Sequence, residues 1–127
     1  MSGWQQPPEE LIKPQRILVV DDEYLIRWSL SQALSQQGHE VVSVGSGEKA
    51  IEALKTQAFD VVITDLVMPE SDGWQVLEIS HKSQSKPRVI IITAHGGEET
   101  KRMAKEKGVW AYVEKPYVFD KIRDLLK

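Results

Sequence analysis

Apolar residues in this chain fall into short runs that alternate with longer segments of helical period. Five runs rich in β-branched residues predict strands at Ile17–Val20, Val41–Val44, Val61–Thr64, Val89–Thr93 and Trp110–Val113. The first, third and fourth runs are almost entirely apolar, which is typical of parallel strands covered on both faces. The pattern therefore predicts a sheet whose central strands are buried.

The segments between the runs carry helix signals. The first has an apolar stripe and ends near Gly38, a residue suited to stop a helix; the stripe comprises Leu25, Ile26, Leu30, Ala33 and Leu34. Ser46-Gly47-Glu48 and Ser71-Asp72 suit the starts of the second and third helices. Strand and helix thus alternate five times, which predicts an α/β fold with right-handed crossovers and helices on both faces of a parallel sheet.

The last two helices differ in how much they can bury. Glu98–Lys107 has only Met103 and Ala104 as apolar residues, so it should be the least firmly held helix. The last helical segment has more apolar residues, namely Phe119, Ile122, Leu125 and Leu126. We therefore expect the fourth helix to move at the smallest cost.

Length and composition exclude several classes of protein. The 127 residues suit one domain, and the absence of cysteine excludes disulfides and thiolate metal sites. No apolar run approaches the about 20 residues of a membrane span, and the start lacks a secretory signal. A net charge of −3 does not indicate that this chain alone binds a phosphate backbone. Residues 1–15, which contain Pro7, Pro8 and Pro14, are predicted to be a flexible leader to a domain at 16–127.

Polar residues follow four of the five predicted strands. Ligands of an open parallel sheet bind beyond the carboxyl ends of its strands. The residues that should meet at this edge are Asp21 and Asp22 after the first strand, Asp65 after the third, Thr93 at the end of the fourth, and Glu114, Lys115 and Pro116 after the fifth. We therefore expect three carboxylates, a hydroxyl and an ammonium to converge.

This set of groups suits metal-assisted phosphoryl chemistry. Clustered carboxylates repel one another, and a hard cation such as Mg²⁺ removes that conflict. Lys115 and Thr93 could hold phosphoryl oxygens, and an aspartate can accept a phosphoryl group covalently. Each residue also has an ordinary interpretation, because Asp22 or Glu23 could cap the first helix and the others could be turn, strand-end or solvated residues.

Four motifs resemble the receiver domains of two-component response regulators, the group that includes the chemotaxis response regulator. They are ILVVDDE at 17–23, VVITDLVMPESDGW at 61–74, VIIITAH at 89–95 and AYVEKPY at 111–117. The resemblance covers residues 16–127. It implies a flavodoxin-like, doubly wound (βα)5 fold with a five-stranded parallel sheet in the order 2-1-3-4-5, in a cytoplasmic signalling protein.

The resemblance also implies roles for individual residues. Asp65 matches the phosphoacceptor, and the Mg²⁺ ligands are matched by Asp21, Asp22, Asp65 and the backbone carbonyl of Val67. Thr93 matches the hydroxyl that moves to meet the phosphoryl group, and Lys115 matches the lysine that pairs with the acceptor and then with a phosphoryl oxygen.

Two further residues match the switching apparatus of the family. Pro116 matches a proline whose preceding peptide bond is usually cis, which costs an X-Pro bond only about 0.5–1 kcal/mol. Tyr112 matches the aromatic residue that swings inward when the threonine moves, although a half-buried strand tyrosine is the ordinary alternative. The resemblance thus implies a two-position switch beside the acceptor.

The same resemblance implies partners and an output. The phosphoryl donor would be a sensor histidine kinase or a phosphotransfer protein that docks on the first helix, where Trp28 lies off the apolar stripe. Phosphorylation would change the face formed by helix 4, strand 5 and helix 5, and a homodimer is one outcome. We expect this chain to contact neither a membrane nor nucleic acid directly. The segments YLIRWSL and EKPYVFDKIRDLL are similar to receivers of sigma-54-dependent, NtrC-type transcriptional activators.

Rival functions make different demands on the sequence. A constitutive protein-interaction module of the same fold needs no phosphorylation, and the complete set of acceptor, metal and lysine residues argues against it. A Mg²⁺-dependent phosphohydrolase would need an Asp-x-Asp nucleophile motif and a cap, whereas this chain has the adjacent pair Asp21-Asp22. A flavin site would need a phosphate cradle where this chain is acidic. We therefore expect a switch, not a turnover enzyme.

Overall fold

Five parallel strands form the central sheet of the computed structural model, which describes residues 13–116 and 118–126. The strands are β1 (Arg16–Val20), β2 (Glu40–Val44), β3 (Val61–Asp65), β4 (Arg88–Thr93) and β5 (Ala111–Glu114). They lie in the order β2-β1-β3-β4-β5, and every neighbouring pair is parallel. The predicted α/β class, flavodoxin-like fold and strand order are confirmed.

Helices connect the strands at the predicted places. They are α1 (Tyr24–Gln36), α2 (Gly47–Thr56), α3 (Gly73–Lys82), α4 (Glu98–Glu106) and α5 (Val118–Leu125). The side chains of Ser46 and Asp72 cap α2 and α3 by accepting hydrogen bonds from backbone amides, as their sequence positions predict. Gly38 and Gly108 follow α1 and α4 with φ of 96° and 83°, a conformation that favours glycine.

The start of the fifth strand and the loop after β3 differ from the prediction. The fifth strand begins one residue later than expected, at Ala111, because Trp110 serves as an exposed lead-in residue whose backbone amide donates to the carbonyl of Val89. A two-stranded antiparallel ribbon pairs Val67–Met68 with Ser71–Asp72 after β3. Its two-residue strands are too short to produce an alternation that a sequence pattern could reveal.

Alternate side chains of the central strands enter two apolar layers. Leu18 and Val62 pack in the layer that contains α2 and α3 residues. Ile17 and Ile63 pack in the opposite layer with residues of α1 and α5. Within α4, all of which the structure describes, Ala104 is the single buried residue, which confirms that this helix buries little.

The apolar stripe of α1 is narrower than the sequence predicts. Leu30 and Leu34 are buried, but Leu25 is 72% exposed, so its assignment to the stripe is wrong. Leu25 precedes Leu30 by five residues, which places it about 140° around the helix from that core residue. Trp28 is 53% exposed, as expected of a residue off the stripe.

The predicted leader lies outside the described residues apart from positions 13–15. No helix in the described ranges is both long and apolar enough to span a membrane. Gln15 fastens the segment before β1 to the sheet, because its backbone amide donates to Nδ1 of His39 at 3.1 Å and its carbonyl accepts from the amide of Glu40 at 2.9 Å. His39 is buried, and burial lowers the pKa of its imidazole. The folded protein therefore favours neutral His39.

Acid should weaken the fold through His39. Between its lowered folded pKa and its unfolded value of about 6.5, the unfolded chain binds the extra proton, so the free energy of unfolding falls as pH falls. One proton limits this slope to about 1.4 kcal/mol per pH unit. Urea unfolding of wild type and His39→Gln at pH 7.5, 6.5 and 5.5 should show the steeper loss in wild type. Parallel curves for the two proteins would contradict this role of His39.

Candidate functional site

Three aspartates meet at the carboxyl edge of the sheet. Asp21 and Asp22 directly follow β1, and Asp65 is the last residue of the neighbouring strand β3. The register pairs Val20 with Thr64, so the residues that follow these two strands come together. One carboxylate oxygen from each aspartate lies within 4.8 Å of the others. Asp21 and Asp65 are buried, while Asp22 is exposed.

The Lys115 ammonium lies among the carboxylates. Its Nζ is 3.0 Å from Oδ2 of Asp21 and 3.1 Å from Oδ2 of Asp65, and it also donates a hydrogen bond to Oε1 of Glu23. The Lys115 side chain is only 9% exposed. Lys115 comes just after β5, whereas the aspartates lie at the ends of β1 and β3. Three strands of the sheet therefore supply the residues of this cluster.

Glu23 also belongs to this cluster, although the only role considered for it from the sequence is that of a helix cap. It occupies the N-cap position of α1, yet its side chain makes no capping hydrogen bond. The carboxylate of Asp21 instead accepts from the Glu23 amide at 2.8 Å. The capping interpretation of Glu23 is therefore wrong, and the third acidic residue of the run Asp21-Asp22-Glu23 was the signal for its true contact.

Burial and charge set the protonation of this cluster. Burial raises the pKa of the Asp21 carboxyl, and the negative charge of Asp65 adds to this, while the Glu23 amide and Lys115 oppose it. Burial lowers the pKa of the Lys115 ammonium, but hydrogen bonds and charges of Glu23, Asp21 and Asp65 outweigh burial and raise it above its ordinary value. Lys115 therefore stays protonated at neutral pH.

The donor set fits a divalent cation. Oδ2 of Asp21 is buried, and the Lys115 ammonium 3.0 Å away takes up only one of its lone pairs, so another is available to a metal ion. The carboxylates of the cluster outnumber its ammonium, and carboxylate oxygens are the ligands that Mg²⁺ prefers. Val67 lines the same cleft, where its backbone amide donates to Oδ1 of Asp65 at 3.4 Å. Asp21, Asp22 and Asp65 could therefore hold Mg²⁺.

Thr93 and Pro116 complete the edge. Thr93 is fully buried at the end of β4, one position beyond Ile92, the ladder partner of Asp65. Its Oγ1 accepts from the amide of His95 at 2.9 Å. The carbonyl of Thr93 accepts from the Lys115 amide at 2.9 Å, and the Lys115–Pro116 peptide bond is cis. Thr93 and Lys115 are thus tied together through the backbone.

Tyr112 lies outside the carboxylate cluster, on β5. Its hydroxyl is buried against Gly96 in the loop between β4 and α4, where a Cβ at position 96 would come within 2.4 Å of Tyr112 Oη and of Glu114 Oε2. Burial raises the pKa of the Tyr112 hydroxyl, and the negative charge of Glu114 raises it further. Gly96 therefore leaves room for the buried Tyr112 hydroxyl, a contact that the sequence did not reveal.

Comparison with known proteins identifies the family. Residues 17–127 match the response regulator receiver domain, and the chain belongs to that family. It is 32% identical over 113 residues to sporulation initiation phosphotransferase F of Bacillus subtilis, covering 89% of this chain and 91% of that protein. It is 36% identical over 104 residues to the transcriptional regulatory protein GlrR of Escherichia coli, covering 82% of this chain but 23% of that protein.

Solved structures agree with this assignment. The CheY-like receiver domain protein from Methanospirillum hungatei superposes with a TM-score of 0.80 at 27% identity, over 90% of this chain and 94% of that chain. Relatives include both CheY-like and NtrC-type response regulators. Receiver domains bind Mg²⁺ at an acidic pocket, interact with histidine kinases or phosphotransfer proteins, and are not turnover enzymes. The family therefore sets aside the phosphohydrolase and flavin alternatives.

Removing the ammonium should destabilise the metal-free protein. Lys115→Met leaves buried Asp21 without its cation, so we expect the free energy of unfolding to fall by about 3 kcal/mol. Mg²⁺ can replace the lost positive charge, so it should stabilise this variant more than it stabilises wild type. Thermal unfolding with and without Mg²⁺ measures both effects, with the exposed Lys101→Met as the control. An equal Mg²⁺ response in all three proteins would contradict the charge argument.

A methyl group at position 96 should expel Tyr112 from its buried position. In Gly96→Ala the new Cβ competes with Tyr112 Oη for one space, so the hydroxyl should move into water and its raised pKa should fall towards the ordinary value. Phenolate absorbance measured against pH detects this, and Tyr112→Phe identifies the contribution of Tyr112. An unchanged Tyr112 titration would show that the loop yields instead.

Proposed function

We propose that this domain accepts a phosphoryl group on Asp65 from the phosphohistidine of a histidine kinase or a phosphotransfer protein, in a Mg²⁺-dependent reaction. The observation that carries the proposal is the placement of the Asp65 carboxylate beside both the Lys115 ammonium and the other two aspartates. This group opens into a cleft of about 270 Å³ that Val67 and His95 also line. The cleft gives a donor access to an otherwise buried nucleophile.

The chemistry follows from the positions of the groups. An Asp65 oxygen attacks phosphorus, the phosphorus–nitrogen bond of the donor breaks, and its electron pair stays on the donor imidazole. Lys115 donates to a phosphoryl oxygen, and Thr93 turns its hydroxyl towards the same group. Asp21, Asp22, Asp65 and the Val67 carbonyl would hold Mg²⁺, which supplies neutralisation of phosphoryl charge when bound. The product is an acyl phosphate that water removes.

The donor would dock beside the cleft on α1. This helix begins immediately after Glu23, and its first turns expose Tyr24, Leu25 and Trp28. These apolar side chains adjoin the cleft because Glu23 itself lines it. An apolar patch at this place supplies contact area for a protein that must bring a phosphohistidine to Asp65.

The output face lies on the other side of the site. Thr93 and Tyr112 flank the loop that leads into α4, and α4 buries little. A phosphoryl group that draws Thr93 towards Asp65 thus biases the positions of Tyr112 and of the α4–β5–α5 face, which needs only a few kcal/mol. A homodimer formed through that face is one outcome.

We infer that the output is transcriptional and that the protein acts in the cytoplasm. Support comes from the transcriptional relatives, of which GlrR is one, and from the NtrC-type resemblance of α1 and the last helix. This chain spans only 23% of GlrR, so the activities of its remaining parts are outside this comparison. A constitutive interaction module remains the alternative, and the completeness of the acidic site disfavours it.

Phosphoryl uptake tests the function directly. After incubation with a small acyl-phosphate donor and Mg²⁺, the intact mass of wild type should rise by one phosphoryl group. Asp65→Asn should show no uptake, because the nucleophilic oxygen is replaced, and omission of Mg²⁺ should reduce uptake strongly.

The matched control is Asp120→Asn, which changes an exposed aspartate on α5. It should take up phosphoryl as wild type does. Uptake that persists in Asp65→Asn would overturn the assignment of the acceptor. No uptake by folded, Mg²⁺-bound wild type would favour the constitutive interaction module.

A further inference from the structure

The Glu23 side chain contacts a lysine that is distant in the sequence instead of the first backbone amides of its own helix. N-cap positions favour short polar side chains that accept from the first backbone amides of the helix. Glu23 occupies that position in α1 without capping it, and its carboxylate instead accepts a hydrogen bond from Lys115, 92 residues further along the chain. The contact therefore calls for an explanation other than helix stability.

Lys115 has as many donors as it has carboxylate neighbours. An ammonium carries three N–H groups, and Lys115 has Asp21, Glu23 and Asp65 around it. Asp21 and Asp65 belong to the metal-ligand set, whereas Glu23 does not. The Glu23 side chain is also 60% exposed and lines the cleft through which a donor must reach Asp65.

We propose that Glu23 is a positioning residue for Lys115, holding the ammonium towards the mouth of the cleft until a phosphoryl group takes it. The inference rests on the proposed function of Asp65. It extends that function by giving Glu23 a restraining effect on phosphoryl transfer.

Two physical effects give this restraint. Lys115 must free an N–H group from a carboxylate before it can donate to a phosphoryl oxygen, and the hold of Glu23 opposes that change. Because Glu23 shares the ammonium with Asp21 and Asp65, it also weakens the competition between Lys115 and a metal ion for their oxygens. Glu23 therefore slows phosphoryl transfer, which hinders the reaction, and favours Mg²⁺ binding, which promotes it.

Two substitutions separate the contact from the charge. Glu23→Gln removes the charge and weakens the hydrogen bond. Glu23→Asp keeps the charge, but the shorter side chain suits the N-cap and so leaves Lys115. Because Glu23 is largely exposed and caps nothing, both variants should fold. Glu52→Gln, at an exposed position on α2, controls for net charge.

Loading is measured by intact mass over time, with a small acyl-phosphate donor at saturating Mg²⁺, and Mg²⁺ affinity by calorimetry without donor. An ion pair with one exposed partner predicts an increase of about twofold to fivefold in the loading rate of both Glu23 variants. The Mg²⁺ dissociation constant of Glu23→Gln should rise by a similar factor. Glu52→Gln should match wild type in both measurements.

The loading rates of the two Glu23 variants distinguish positioning of Lys115 from a general effect of charge. Faster loading in Glu23→Gln but not in Glu23→Asp would overturn positioning and leave a general effect of charge. Slower or unchanged loading in both variants would also overturn it, with the function of Asp65 intact. A wild-type chain that binds Mg²⁺ but takes up no phosphoryl group would remove the proposed function and the inference together.

Discussion

Mutual repulsion among carboxylates at one edge of the sheet is the constraint on which this site depends. Parallel pairing of β1 with β3 forces Asp21, Asp22 and Asp65 together, whatever their charges prefer. The buried ammonium of Lys115 offsets only part of this charge. This incomplete balance of charge makes the edge receptive to a further cation. The same fold that buries the apolar strands thus creates a site in need of positive charge.

The backbone links this electrostatic site to the more loosely held part of the fold. The amide of Lys115 donates to the carbonyl of Thr93, so the ends of β5 and β4 share a hydrogen bond beside Asp65. From Thr93 the chain enters the loop in which Gly96 packs against the Tyr112 hydroxyl. A shift of Thr93 would therefore reach Tyr112 through this loop, and Tyr112 lies on β5, the strand that Lys115 directly follows. We propose that charge at Asp65 and the position of the Tyr112 ring are coupled through this hydrogen bond and this packing contact.

The sequence predicts this fold and edge well because both follow from short-range pattern. Apolar runs locate the strands, and acidic residues that end two of them locate the site. The sequence does not predict contacts between side chains that are far apart along the chain. The contact of Glu23 with Lys115 spans 92 positions, and the packing of Tyr112 on Gly96 joins a strand to a loop. Leu25 fails for a different reason, because apolar character alone does not say which side of α1 faces the sheet.

The two sides of the site differ in how firmly they are held, and this difference suits a switch. On the input side, α1 fixes its position by burying Leu30 and Leu34, so the exposed Tyr24 and Trp28 are presented from a firm support. On the output side, α4 has Ala104 as its buried residue. Docking of a donor benefits from a surface that does not move, because ordering a mobile surface costs binding free energy. A response to phosphorylation requires the reverse, since a small free-energy change shifts only an element with little packing to lose. We therefore propose that the unequal burial of α1 and α4 lets one small domain receive a signal on a firmly packed face and report it on a loosely packed one.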